Sequence, residues 1–445
     1  MTELVRGENS PEPTVDPTVA TGGRRAVPHV AEVARSSWLA TAVSSVGMGF
    51  DAYVINLPVI MVTPLALLYG VSPERIAAIQ TIFMAGYFLG TLAFSTLSDV
   101  LGRRMTLALS IAGYAVAASL TGLAPTLTVF IVARFLTGLL AGGEQPVGTI
   151  FALEAWPAKW RGWGTANMFT LYPLGVVLLI VVSILPLPIS EGWHVRLAFL
   201  VTLPLGFGIL WFRHHIIESD AFTKTRAAIE EGDVPAHKNS WAAILRHPEL
   251  RKRWVGALIV NMGDNFTYHG YSVGLILYLS TVYDLSHTRV LLILLPMYLL
   301  QAVACAAGAY FSDIVGRRPV AVTCYIIGII ATIAMLNLPS MGWALVAAGV
   351  GQIALLGPGW ATKLTVSAEI FPTEVRGAGL AMTLGLGRIA AFAAPASLAA
   401  LIPVMGMEHV LYIYVGSMAL TIIGFAIVPE LRRREVYHFV DEVRA

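Results

Sequence analysis

Two short stretches of this 445-residue chain, Asp99-Val-Leu-Gly-Arg-Arg104 and Asp313-Ile-Val-Gly-Arg-Arg318, carry the same pattern 214 residues apart. A second pair keeps nearly the same offset. Glu154-Ala-Trp-Pro-Ala-Lys-Trp-Arg-Gly162 is matched 215 residues later by Glu369-Ile-Phe-Pro-Thr-Glu-Val-Arg-Gly377. Because the two matches occur in the same order and their offsets differ by only one residue, they indicate that the chain consists of two repeated halves.

The composition around these repeats is that of a membrane protein. Hydrophobic residues make up 56% of the chain, charged residues only 13%, and the mean hydropathy is +0.72. Soluble proteins have about 45–50% apolar and about 25% charged residues. These values exclude a soluble enzyme, a disordered chain and a nucleic-acid binder, and the net charge of +2 predicts no strongly charged partner. Cys305 and Cys324 both lie in apolar runs, so no disulfide framework or cysteine metal site is expected.

The apolar runs are long enough for twelve membrane-spanning helices, each of which needs about 20 residues. The predicted spans are 38–60, 77–98, 106–124, 128–150, 164–186, 197–212, 254–281, 290–311, 319–338, 343–364, 378–403 and 409–428. We therefore predict an all-α polytopic protein with a disordered N-terminal tail (1–35), two pseudo-symmetric six-helix bundles (36–212 and 254–429), a central loop (213–253) and a C-terminal tail (430–445). Parallel halves of this kind imply a central cavity at the midplane and alternating access by rocking of the halves.

The distribution of lysine and arginine predicts the orientation in the membrane. If both termini are cytoplasmic, the cytoplasmic segments hold 23 of the 29 cationic residues and the outside loops hold three. Positive residues collect on the cytoplasmic side of membrane proteins. We therefore expect both tails and the central loop in the cytoplasm. The compact loops and the absence of an apolar signal region at the start of the chain suggest a bacterial inner membrane.

The repeated loops, together with the stretch Arg134-Phe-Leu-Thr-Gly-Leu-Leu-Ala-Gly-Gly-Glu144, resemble the major facilitator superfamily of transporters. The resemblance covers about 38–430. Gly102 and Gly316 permit tight turns with positive φ, and Asp99 and Asp313 can pair with nearby arginines. The resemblance implies a gating role for the loop residues. They are Asp99, Arg103, Arg104, Glu154, Arg161, Asp313, Arg317, Arg318, Glu369 and Arg376.

Ionisable residues at membrane depth are costly and mark candidate functional sites. Asp51 lies in the first span, and Arg134 and Glu144 lie in the fourth. We expect Asp51 to pair with Arg134, so that protonation of Asp51 frees Arg134 and couples a proton to a conformational change. The alternative is a permanent structural pair. Glu144 lies in a Gly-Gly-Glu-Gln-Pro kink and is either a second proton site or a polar group that lines the cavity.

The second half carries further polar residues in its seventh and eighth spans. Asp264 and His269 are candidate proton carriers, because imidazole titrates near neutral pH and buried carboxylates change protonation readily. The alternative for both is hydrogen bonding to neighbouring helices. Neutral side chains here can bind substrate, although the tyrosines can instead be anchors at the membrane interface. These side chains are Asn265, Gln301, Tyr268, Tyr271 and Tyr298.

Arg388 is the residue that bears most on the substrate. It lies mid-membrane without an acid within a turn of its own helix, and a buried guanidinium can clamp a carboxylate with two hydrogen bonds. The alternative is a structural pair with an acid on another helix. For Lys363 we expect snorkelling to the interface or a contact with Glu369, rather than attraction of the substrate.

Within the superfamily, the closest resemblance is to proton symporters of organic acids. Gly49-Phe50-Asp51 and the Arg134 stretch match the aromatic-acid group, whereas Met48 departs from it. The Gly-Gly-Glu stretch and the segment Ile217-Glu218-Ser219-Asp220-Ala221-Phe222 resemble sialate and metabolite symporters. We predict a transporter, not an enzyme, because no HExxH or Walker motif is present. Sugar or polyol symport and proton-driven efflux are the alternatives. We expect a monomer in the lipid bilayer that binds a small molecule and protons, with no cofactor and no nucleic acid.

Overall fold

The computed structural model describes residues 35–156, 161–185, 190–213, 240–371 and 375–429. Helices joined by short connections account for these ranges, which contain no strand. The predicted tails at 1–34 and 430–445 and most of the central loop, 214–239, lie outside the described residues. The described part of the central loop is helical from Ser240 onwards.

The first half contains six membrane-crossing segments, several of which are broken into two helices. They are Arg35–Ile60 with Val62–Tyr69, Pro73–Leu101, Arg103–Gly122, Leu127–Ala141 with Glu144–Ala155, Arg161–Asn167 with Tyr172–Ile184, and Glu191–Leu200 with Thr202–Arg213. The fourth span breaks at Gly142 and Gly143, where the Gly-Gly-Glu-Gln-Pro kink was predicted.

The second half repeats the pattern after the short helix Ser240–Arg246. Its spans are Pro248–Thr281, His287–Val315, Arg317–Asn337, Met341–Ala354 with Trp360–Glu369, Arg376–Met405, and Met407–Val410 with Tyr412–Ile427. In the tenth span the two helices are joined by a π-helical turn, Leu355–Gly359, that contains Pro358. The seventh span begins six residues before its predicted start, because Pro248 suits the first turn of a helix.

By length and composition, ten helical segments of the described chain can cross a membrane. Tyr172–Ile184 is a shorter apolar helix that supplies the fifth span. Pro248–Thr281 has 34 residues, which is about 50 Å of helix and more than a bilayer core needs, but its polar residues lower its hydropathy. Together these segments give the predicted all-α fold of twelve spans in two six-helix halves.

The repeated Asp-x-x-Gly-Arg-Arg loops adopt the same structure in both halves. Gly102 has φ 88° and Gly316 has φ 121°, so the predicted left-handed turns are confirmed. Arg103 Nη1 donates to the carbonyl oxygen of Ser98 at 2.8 Å, and Arg317 Nη1 donates to that of Ser312 at 3.5 Å. Because these contacts are also 214 residues apart, the internal repeat extends to side-chain geometry. We refer to the end of the molecule that carries these arginines as the arginine-rich end.

Within the first half, neighbouring spans approach closely at glycines. A Cβ atom on Gly138 of the fourth span would lie 2.1 Å from the carbonyl oxygen of Phe83 in the second span. A Cβ atom on Gly175 of the fifth span would lie 1.8 Å from the carbonyl oxygen of Gly49 in the first. Membrane helices associate through such small residues because backbones can then pack directly together.

The two halves meet along matched pairs of helices. The second span packs against the eleventh, and the fifth span packs against the eighth. At the end away from the arginines, residues of the first, second and seventh spans that include Val62, Ile76 and Val273 line a small, mostly apolar pocket. Arg388 and the rings around Trp360 contact residues of the opposite half, whereas the other buried charges lie within one half.

Candidate functional site

Asp51 is buried in the first span, with 2% of its surface exposed. Its Oδ2 accepts a hydrogen bond from the Tyr87 hydroxyl of the second span at 3.0 Å, whereas Oδ1 has no hydrogen-bond partner among the described residues. Glu144 and Arg388 are close enough to act on Asp51 electrostatically. A buried carboxylate with one unpartnered oxygen is costly, and protonation is one way to remove that cost.

Arg388 extends from the eleventh span into the opposite half. Its Nη2 donates to Oε1 of Gln145 in the fourth span, and its guanidinium carbon lies 4.3 Å from the centroid of the Tyr87 ring. Tyr87 therefore contacts Asp51 through its hydroxyl group and Arg388 through its ring face. This chain of contacts joins an acid of the first half to a cation of the second half.

The predicted ion pair between Asp51 and Arg134 is wrong in this structure. Arg134 Nη1 donates to the carbonyl oxygen of Val54 at 3.3 Å, and its guanidinium group packs 4.1 Å from the Phe83 ring centroid. The side chain therefore reaches a backbone oxygen further along the first span instead of the carboxylate. Cation–π and carbonyl contacts offset part of the cost of burying this charge.

Asp264 and Lys363 form an ion pair inside the second half, with Nζ and Oδ2 2.5 Å apart. Tyr325 of the ninth span donates to the other carboxylate oxygen at 2.5 Å. The side chains of Lys363 and Asp264 are 1% and 2% exposed, so the expected snorkelling of Lys363 is wrong. The expected contact with Glu369 is also absent among the described residues, because Glu369 pairs with Arg317 instead.

Aromatic rings from both halves pack together beside these charges. The Trp360 ring of the tenth span lies 4.7 Å from Phe169 and 4.8 Å from Tyr172 of the fifth span. It also stacks on Tyr268 of the seventh span at 5.9 Å, and Tyr268 lies 4.9 Å from the ring of His269. We refer to these five residues as the aromatic cluster. It connects the halves near Lys363, whose Nζ is 6.0 Å from the Trp360 ring.

The neutral residues predicted to bind substrate are all buried, which excludes the tyrosines as anchors at the membrane interface. Gln301 Oε1 has no hydrogen-bond partner in the part of the chain that the structure describes. Gln301 Nε2 donates to the carbonyl oxygen of Leu356 at 2.7 Å. Asn265 donates within its own helix, to Asn261 at 2.7 Å, and is therefore partly committed to that helix. Tyr298 is also buried, in the eighth span.

At the arginine-rich end, two of the predicted gating residues form an ion pair, although the sequence suggested Arg376 as the partner of Glu369. Arg317 and Glu369 make two hydrogen bonds of 3.0 Å and 3.1 Å, which join the start of the ninth span to the end of the tenth. Arg103, Arg104 and Arg318 lie at the same end, at the starts of the third and ninth spans. The other predicted gating residues have side chains outside the described part of the chain. They are Asp99, Glu154, Arg161, Asp313 and Arg376.

The sequence analysis missed six residues of this region: Tyr87, Gln145, Phe169, Tyr172, Tyr325 and Trp360. Tyr87 follows Gly86 and Tyr172 precedes Pro173, which indicates only helix packing, and their partners lie on other spans. Gln145 is a neutral amide next to Glu144, and in an apolar run only the charged residue of the two stands out. Trp360 directly follows Gly-Pro-Gly, and this helix-breaking pattern was the one local signal of an unusual position.

Comparison with known proteins agrees with this architecture. The profile of the Major Facilitator Superfamily matches residues 37–310, and the profile Sugar (and other) transporter matches residues 217–441. The gentisate transporter of Corynebacterium glutamicum is 28% identical over 359 residues, 78% of this chain and 77% of that protein. The putative niacin/nicotinamide transporter NiaP of Bacillus subtilis is 24% identical over 358 residues, 79% of this chain and 86% of that protein.

Among solved structures, the chain is similar to the proton:xylose symporter XylE of E. coli, with a TM-score of 0.74 and 16% identity over 90% of this chain and 98% of that one. Two six-helix halves with buried charges between them define an integral, multi-pass membrane transporter of small molecules. The chain belongs to the major facilitator superfamily, which confirms the resemblance of its loops. It is a transporter and not an enzyme.

Proposed function

We propose that this protein is a symporter that moves an organic anion together with protons by alternating access. The observation that carries the proposal is Arg388, a guanidinium group that is 6% exposed and lies at the contact between the halves. Its polar contact is a neutral amide, Gln145, and no carboxylate lies within ion-pair distance of it among the described residues. A buried cation in this position suits a substrate carboxylate, which it can bind with two hydrogen bonds.

The named relatives support an organic acid as substrate. Gentisate and niacin are both organic acids, and the proteins named for their transport share about a quarter of their residues with this chain over most of its length. The aromatic cluster beside Arg388 and Lys363 suits a planar ring next to a carboxylate, since aromatic pairs contribute stacking energy beyond their buried area.

Asp51 is our candidate for the coupling proton. Tyr87 lies between Asp51 and Arg388 and contacts both. Substrate bound at Arg388 and a proton bound at Asp51 therefore act on the same set of three contacting residues. Glu144 remains a second candidate proton site. Asp264 is less suited to carry the proton because it is paired with Lys363. His269 is less suited because it lies near two cations, Arg388 and Lys363.

We propose further that both termini are cytoplasmic in a bacterial inner membrane and that the protein acts as a monomer. This orientation rests on the 23 cationic residues of the segments on that side. The arginine-rich end is then the cytoplasmic gate. At this gate, the ion pair between Arg317 and Glu369 joins the ninth and tenth spans.

The test of this proposal is binding and uptake by Arg388 variants. Purified protein is titrated with gentisate, nicotinate and the neutral amide nicotinamide while its melting temperature is followed, because a ligand that binds the folded state raises it. We expect the two carboxylates to stabilise the wild type and nicotinamide to have no effect. Arg388→Lys keeps the charge but loses the planar fork, so it should fold and bind more weakly. Loss of one partner of a buried charge pair costs about 2–5 kcal/mol.

The alternatives give different results in the same experiment. Stabilisation by xylose but by neither acid would favour a sugar symporter. Normal gentisate affinity in a well-folded Arg388→Gln protein would remove the reason for an anionic substrate. An unstable apo protein with normal affinity would assign Arg388 a structural role.

A further inference from the structure

Six carboxylate, lysine and arginine side chains are buried at membrane depth in the described part of the chain, three acids and three bases. They are Asp51, Glu144, Asp264, Arg134, Lys363 and Arg388, and none is more than 6% exposed. Arg253 is also buried, but it lies in the first turns of its helix at the arginine-rich end. When all six groups are ionised, their charges sum to zero. Net charge inside a membrane protein is costly, so this balance has a physical basis.

The charges are divided unequally between the two halves. The first half holds two acids and one base, whereas the second half holds one acid and two bases. In the second half, Lys363 and Asp264 neutralise each other at 2.5 Å, so Arg388 is the cation in excess. In the first half Asp51 keeps one oxygen without a hydrogen-bond partner. Asp51 and Arg388 are joined through Tyr87.

Other titratable groups around this pair leave the balance unchanged. Tyr87 and Tyr172, which face Asp51, are neutral phenols, and Glu144 is already counted. A protonated His269 would add a third positive charge beside Arg388 and Lys363, and we therefore count its ring as neutral. We count Glu144 against Arg134, which lies on the same span, so that the excess acid and the excess base are Asp51 and Arg388.

We propose that one proton accompanies each monoanion and that the transport cycle moves no net charge. This inference rests on the proposed function. In the empty carrier, Asp51 is ionised and balances Arg388 across the contact between the halves. In the loaded carrier, the substrate carboxylate pairs with Arg388 and one proton from the same side of the membrane binds Asp51. The buried charge is zero in both states, and the proton leaves Asp51 on the side where the anion is released.

Other stoichiometries leave a net charge in the membrane. An anion without a proton would leave the loaded core with one negative charge, and an anion with two protons would leave one positive charge. Both states carry the cost of moving an unbalanced charge through the bilayer. The same argument favours substrates with a single negative charge over dianions.

The test is uptake of radiolabelled gentisate and nicotinate into proteoliposomes, with protein-free liposomes as the control for passive entry. With the membrane potential clamped at zero by potassium and valinomycin and the inside one pH unit more alkaline, we expect about tenfold accumulation. With an inside-negative potential and no pH difference, we expect none. Two protons per anion would give about fiftyfold accumulation at 100 mV, since each charge then contributes about 2.3 kcal/mol.

These results separate the inference from the proposed function. Accumulation driven by the potential as well as by pH overturns one proton per anion but leaves proton symport standing. Binding of either acid without pH-driven accumulation overturns the proposed proton coupling itself.

A measurement without ligand tests the same charge balance. Asp51→Asn and Arg388→Gln each leave one unbalanced charge, whereas the double variant is neutral again. We expect the fall in apo melting temperature of the double variant to be smaller than the sum of the two single falls. Falls that simply add would overturn the balance between these two residues, whichever solute the protein carries.

Discussion

At the scale of single residues, the buried acids of the two halves have different surroundings. Asp264 has both carboxylate oxygens occupied, by Lys363 and by Tyr325. Asp51 has one tyrosine partner and one unoccupied oxygen. A fully paired acid suits a structural role, whereas a partly paired acid suits a group that changes protonation. This contrast assigns the two acids to separate tasks although they occupy the first spans of equivalent halves.

We expect Lys363→Met to lower the free energy of unfolding by about 3–5 kcal/mol, because it leaves Asp264 charged, buried and unpaired. The double variant Lys363→Met/Asp264→Asn removes both charges and should recover most of the loss. Denaturant unfolding in detergent measures both effects. Lys252→Met, at an exposed position of the same half, is the control and should change little. A double variant as unstable as the single one would contradict this assignment.

The sequence predicted these charged residues individually but not their partners. Asp51, Asp264, Lys363 and Arg388 are conspicuous because charge is rare in apolar runs. Which helix supplies a partner depends on how the spans rotate and cross. Arg134 illustrates this, since it lies on the predicted helix and at a suitable depth but reaches Val54 instead of Asp51.

At the scale of helices, glycine contacts hold the spans of each half together. Gly138 lies where the fourth span crosses the second, and Gly175 lies where the fifth crosses the first. Direct backbone packing gives van der Waals contact over a short distance, which is the main attraction available between helices in lipid. A side chain at either glycine would push the two spans apart.

We expect Gly138→Ala to destabilise the protein by about 1–3 kcal/mol, because its Cβ would lie 2.1 Å from a backbone oxygen that cannot easily move. Gly416→Ala is the matched control, since nothing lies within 4 Å of its added Cβ. Alanine is also the better helix former, by about 1 kcal/mol. The melting temperatures of the two variants in detergent measure this difference, and we expect the lower value for Gly138→Ala. Equal stability would show that the crossing tolerates a methyl group.

The sequence predicted the spans better than the breaks within them. Long apolar runs and the repeated loops identify all twelve crossings, and the Gly-Gly pair marks the break in the fourth span. The π-helical turn at Leu355–Gly359 was not predicted. An apolar run looks the same whether its helix is regular or contains one residue more per turn, because hydropathy does not report backbone hydrogen bonding.

At the scale of the whole molecule, contacts between the halves are of two kinds. The chain Asp51–Tyr87–Arg388–Gln145 contains charged side chains, whereas the contacts of the Trp360 ring with Phe169 and Tyr172 join uncharged rings. In the alternating access that we propose, rocking of one half against the other separates both kinds of contact. The polar contacts supply the part of this energy that protonation and substrate binding can alter.

We expect Asp51→Asn to abolish proton-driven accumulation of gentisate while leaving exchange of gentisate across the membrane largely intact. The amide cannot take up or release a proton, but it keeps the shape of the side chain, so the halves can still rock with substrate bound. Counterflow and pH-driven uptake in proteoliposomes measure the two activities separately. Asp284→Asn, on an exposed turn, should retain both. Concentrative uptake by Asp51→Asn would show that another group carries the proton.

The π-helical turn of the tenth span also sets the direction in which the rest of that helix faces. One extra residue in a turn rotates everything that follows by about 100° relative to a regular helix. Lys363 lies only four residues after this turn, so its ion pair with Asp264 depends on that rotation. If the turn tightened to the regular pitch, the lysine would swing away from its acid although no bond along the chain had broken. Deletion of one residue near Gly357 is therefore expected to turn Lys363 away from Asp264.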